Sequence, residues 1–168
     1  ERFTELHLHE LTPVQSRQLV ASLLAIEALP TAMRDAILAK AQGNPLFLEE
    51  IVRVLIETGQ LYRQGDTWQA RTALPSFTVP DTLQGLIRSR VDQLPDTARH
   101  LLQLAAVLGR LFRPAILQRM AVAMPTLDVA ATLRPVIEKN FIYQERAFPE
   151  AEYSFHHVLV RDAIYQAL

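Results

Sequence analysis

Apolar positions along this chain recur at two spacings, and the helical one dominates. After Asn44-Pro45, residues Leu48, Ile51, Val52 and Leu55 repeat at the 3.6-residue period until Gly59. From Asp96, which reads as an N-cap, Leu101, Leu104, Ala105 and Leu108 follow the same rule and Gly109 ends the run. Thr12-Pro13-Val14-Gln15 predicts a helix start. Thr12 would be its N-cap, Pro13 its first residue and Gln15 the second half of a capping box. Leu19, Val20, Leu23 and Leu24 form the expected buried stripe behind it. Pro30-Thr31 restarts a helix with Met33, Ile37 and Ala41 on one face, ending at Gly43. Asp81-Thr82-Leu83-Gln84 reads as another capping box, with Leu83, Leu86, Ile87 and Leu94 inward. Shorter helices are predicted over 114–123 and 127–139, the second kinked or divided at Pro135.

The two-residue period is confined to short pieces. "RFTELHLHEL" alternates, which places Phe3, Leu6 and Leu8 as strand positions. "QLYRQGDTWQA" puts Gly65-Asp66 between two β-prone runs and predicts a hairpin, with Trp68 as a packing residue. "FIYQERAFPEAEYSF" predicts two more arms, and a last helix starts near His157. "RTALPSFTVP" reads as a linker. The fold class is therefore mainly α: a four-helix bundle interrupted by a hairpin, then helix, helix, helix and strand pair. That second order is the signature of a winged-helix unit, although other small helical folds share it. The seam is expected at Asp92-Gln93-Leu94-Pro95.

Composition narrows the class. Apolar residues make up 49% of the 168, enough to bury a real core. A formal net charge of −1 supplies no overall attraction to nucleic acid or anionic membrane. Without cysteine there are no disulfides and no thiolate metal sites. The longest apolar run, "LLQLAAVL", is far too short to cross a bilayer, and the polar start has no signal-peptide character. A soluble, cytoplasmic protein is expected. The chain starts without Met in an alternating pattern and stops at Leu168 within a helical one, so a larger functional unit is expected too.

Candidate chemistry is sparse. Gly43-Asn44-Pro45 is a tight corner between two helices, and such a corner also presents backbone and a proline ring to a ligand. His157 stands at the start of the last helix, where it reads as an N-terminal helix residue or the partner of a nearby carboxylate. His156-His157 is a poor metal pair because adjacent side chains diverge. His7 and His9 share a strand face and read as its solvent side. Arg88, Arg90 and Asp92 read as the polar face of a helix, with Asp92 a candidate contact between the two halves. Glu49-Glu50 reads as a complement to a helix macrodipole. No catalytic residue and no metal ligand is assigned.

Four ordered motifs carry a resemblance: "GNPLFLEEIVRVLIETGQL", "VPDTLQGLIRSRVDQLP", "LLQLAAVLGRLF" and "YSFHHVLVRDAIYQAL". They resemble the region after the nucleotide-binding core of STAND-class P-loop ATPases. These are relatives of AAA+ and NB-ARC proteins, and the likeness is to the bacterial group fused to adenylate cyclase or LuxR-type regulators. The resemblance implies that 1–11 is the last strand of an ATPase core, 12–94 a helical lid and 95–168 a winged-helix domain. It implies that Gly43, Asn44 and Pro45 lie against the base of ATP or ADP and that His157 approaches the β-phosphate of ADP. No G-x-x-x-x-G-K-[ST] loop and no magnesium-binding acidic strand is present in the sequence. Phosphate and Mg would be held outside this chain, which should neither bind nucleotide tightly nor hydrolyse it alone. The implied partners are an upstream P-loop core and an output domain of the same polypeptide, with self-association through any uncovered face. Two rival functions stay open: a winged-helix DNA-binding regulator and a helical protein-interaction module. The first lacks a basic footprint, because 127–139 sets Arg134 and Lys139 against Asp128 and Glu138.

Overall fold

In the computed structural model the described residues are 5, 7–24, 29–65, 67–71, 79–121 and 127–168. The chain divides into two compact units, Glu1–Leu86 and Ile87–Leu168. The expected seam at Asp92–Pro95 is the turn between two helices, a little after this division.

The first unit is built on α1 (Pro13–Leu24), α2 (Thr31–Ala41) and α3 (Pro45–Glu57), followed by β1 (Leu61–Gln64) and β2 (Thr67–Ala70). Its helix starts obey local chemistry. The Thr12 N–H donates to Gln15 Oε1 at 2.9 Å and the Gln15 N–H returns to Thr12 Oγ1 at 3.3 Å, a reciprocal capping box. Ser16, Val20 and Leu24, each four residues apart, form the buried face of α1, while Leu23 points outward and Leu19 packs at the edge. Met33, Ile37 and Ala41 of α2 meet Leu48, Ile51, Val52 and Leu55 of α3 in the same core. Each such Leu or Ile contributes roughly 1.5–3 kcal/mol of burial. The hairpin pairs Leu61 with Ala70 and Arg63 with Trp68, and Trp68 packs on this core.

Of the expected amino-terminal strand, Phe3 and Leu6 lie outside the described residues. Glu5 and residues 7–10 have no strand, and Leu8 is 95% exposed. Alternation alone does not make a strand without a neighbour to pair with. Most of the expected linker, 72–78, also lies outside the described residues. Where the chain returns, Lys40 donates to the Val79 carbonyl and pairs with Asp81 at 3.0 Å. With Asp81 so engaged, the cap of α4 (Leu83–Val91) falls one residue later than its sequence suggests. Thr82 Oγ1 accepts from the Gly85 N–H at 3.1 Å.

The second unit runs α5 (Asp96–Leu108), β3 (Leu111–Phe112), α6 (Pro114–Met120), α7 (Val129–Glu138), β4 (Ile142–Arg146), β5 (Glu152–Phe155) and α8 (Val158–Tyr165). Its antiparallel sheet has the order β3-β5-β4, with Phe112 opposite Tyr153 and Ile142 opposite Phe155. Phe112 stacks on Tyr153 and tilts against Phe155, with ring centroids 6.1 and 5.7 Å apart. Leu101, Leu102, Ala105, Leu117, Leu133, Val136, Phe141 and Ile164 are also buried in this unit.

Two expectations change here. Asp96 is the first helical residue rather than the cap: Pro95 holds the cap position without a side-chain bond, and the Asp96 carboxylate takes up Arg99 instead. Pro135 does not divide α7. Asp128 caps its start, accepting from the Ala131 N–H at 3.0 Å. A closed end follows, with Asn140 left-handed (φ 57°) and the Phe141 N–H donating to the Val136 carbonyl at 3.1 Å. Capping at both ends offsets the one donor that proline removes. Among the described residues, no helix is long and apolar enough to cross a membrane.

Candidate functional site

The first unit concentrates its unusual backbone at the α2–α3 corner. Gln42 and Gly43 are both left-handed, at φ 49° and 78°, which reverses the chain within two residues. Asn44 then caps α3, its Oδ1 accepting from the Phe47 N–H at 3.1 Å, and Pro45 supplies the pre-set first turn. Asn44 and Pro45 are exposed.

Gly43 has a second reason to be glycine. The Leu11 N–H donates to its carbonyl at 2.9 Å, and a Cβ at Gly43 would stand 2.5 Å from the Leu11 carbonyl oxygen. Leu11, Pro13, Ser16, Leu38, Gln42 and Gly43 line a shallow groove of about 250 Å³ beside this contact. That falls below the roughly 300–1,000 Å³ of a site enclosing a whole drug-sized ligand. Its lining mixes apolar side chains with Ser16, Gln42 and the Gly43 backbone.

His157, in the second unit, caps α8: its Nδ1 accepts from the Leu159 N–H at 3.1 Å. The imidazole proton is thereby placed on Nε2, an outward donor on an exposed side chain. Phosphate donation and helix capping are therefore compatible, one on each ring nitrogen. His156 stacks obliquely on Tyr143, with centroids 5.2 Å apart. His7 and His9 are exposed, His7 lying 3.5 Å from Glu5. Among the described residues, no cluster of three metal-ligating side chains forms.

Three polar groups have roles that the sequence reading did not give them. Arg90, expected on a solvated face, is 1% exposed. It donates to the Lys139 carbonyl at 2.6 Å and lies over the Phe141 ring at 4.7 Å, closing the end of α7. The signal was present, because Arg90 follows Leu86 and Ile87 at helical spacing on the apolar face. Glu50, also 1% exposed, pairs with Arg53 at 3.1 Å inside the first unit, so its partner is a side chain rather than the macrodipole alone.

Arg113 joins the loop end of the β4–β5 hairpin, bonding Glu152 and Glu150 at 2.9 Å each, while Arg146 reaches Glu152 at 3.6 Å. The hydrogen bond to Glu152, reinforced by the charges of Glu150 and Glu152, raises the Arg113 pKa above its ordinary value. This network holds the hairpin and leaves its acidic groups largely balanced.

A family model described as "Domain of unknown function (DUF8739)" matches residues 13–59. That stretch is α1, α2, α3 and the turn closing α3, and it includes the corner. No curated protein matches the chain.

Proposed function

We propose that this chain is the regulatory lid and winged-helix part of a STAND-like signal-transduction ATPase in the cytoplasm. It closes over ATP or ADP held by a P-loop core outside these residues and changes position to control an output domain. The observation that carries this reading is the corner at Gly43, Asn44 and Pro45. Its backbone is pinned from one side by Leu11 and capped from the other by Asn44, Pro45 is exposed, and Gln42 and Gly43 line a shallow groove. Proline and backbone pre-organised this way offer a flat apolar face to a purine with little ordering entropy left to lose.

The second unit supports the winged-helix part of the reading. Its element order from α5 to β5 and its β3-β5-β4 sheet agree with that architecture, the β4–β5 hairpin serving as the wing. Its chemical contribution is recognition rather than reaction. His157 donates from Nε2 to a phosphate oxygen while Nδ1 stays on the Leu159 amide. No bond-making step is assigned to a residue of this chain. Triphosphate and Mg, when bound, would supply the reaction from the core; this reading asks of the chain only a base contact from the corner and a phosphate contact from His157.

The test is ADP dissociation from the native polypeptide that carries this chain. His157→Asn keeps an N-cap acceptor without the imidazole, and Pro45→Gly removes the ring. Each should speed ADP release by about ten-fold, the equivalent of one modest contact. Unchanged release in both variants would overturn the assignment, as would salt-dependent binding of duplex DNA with no affinity for nucleotide.

A further inference from the structure

The contact between Leu11 and Gly43 has a consequence for motion. Two successive amides at the entrance to α1 are committed: Leu11 N–H to the Gly43 carbonyl at 2.9 Å, and Thr12 N–H to Gln15 Oε1 at 2.9 Å. The Leu11 and Gly43 backbones approach closely, since even a methyl group at Gly43 would collide with the Leu11 carbonyl. Immediately before them, residues 7–10 are exposed and in neither helix nor strand. They make no backbone hydrogen bond to another segment among the described residues.

We infer that Leu11 is a coupling point: it makes the α2–α3 corner move as one piece with the chain entering α1, and confines turning to residues 7–10. A corner fixed only through α1 and α2 would follow the entering chain through two helices and their loop. The direct backbone bond shortens that route to a single contact. Displacement of the entering chain then reaches Gly43, Asn44 and Pro45 without bending α1. Gly43 is the residue that permits the contact, because its φ of 78° and its missing Cβ are both required. Service in a nucleotide switch rests on the lid function proposed above; the coupling itself does not.

Amide hydrogen exchange on the chain without nucleotide tests it. The Leu11 amide should exchange at least about ten-fold more slowly than that of His9, as a closed hydrogen bond requires. Gly43→Ala should abolish that difference while the amides of Val20, Ile37 and Ile51 keep their protection. Leu11 exchanging as fast as His9 in the unaltered chain would overturn the coupling, whatever becomes of the variant's folding. Retained Leu11 protection in a folded Gly43→Ala variant would overturn it equally.

Discussion

Arg90 shows how far one residue can depart from the role its charge suggests. A guanidinium buried to this degree needs an acceptor and a partner surface, and the Lys139 carbonyl and the Phe141 ring supply them. Replacing Arg90 with Ala removes a charge-assisted bond and leaves the carbonyl of Lys139, the residue that follows α7, without that donor. The expected loss is about 2–4 kcal/mol, read as a lower denaturant midpoint of the second unit. Arg90→Lys should recover little of it, because a point ammonium cannot both stack on the ring and reach the carbonyl. A loss below about 1 kcal/mol in the Ala variant would mean the bond is not made. Charge type alone suggested surface for Arg90. Position on the apolar stripe, three and four residues from Ile87 and Leu86, was the better guide. At Gly43 the sequence announces a corner, but the pinning by Leu11 is a contact between segments distant in the chain, and no local pattern encodes that.

Elements were legible wherever a cap and a period agreed. Thr12 with Gln15, Asn44 with Pro45, and Gly59 after Leu55 mark α1 and α3 because each mark satisfies a backbone group that would otherwise lack a partner. Boundaries slipped where a capping residue had a competing partner: Asp81 is taken by Lys40 and Asp96 by Arg99. The helix α7 is the instructive exception. Pro135 lacks the N–H that would reach the Ala131 carbonyl, yet Asp128 and the Asn140 closure keep the element whole. Pro135→Ala should then stabilise the second unit, by about 1–3 kcal/mol, since it restores a donor without disturbing either cap. An unchanged or lower thermal midpoint would show that the helix is bent to suit the proline.

At the scale of the whole molecule, two units each with a core of their own present one candidate contact apiece: the corner beside Leu11 and the Nε2 of His157. The mainly helical class could be read from periodicity. What either surface meets could not, because a ligand-facing proline and an ordinary helix start are written with the same residues. Hydrogen exchange of the native polypeptide, with and without ADP, addresses the central claim most directly. If the corner closes on the nucleotide, ADP should slow exchange through the first turn of α3, at Leu46, Phe47 and Leu48, by roughly ten-fold or more. Nucleotide bound with those amides unchanged would contradict the account.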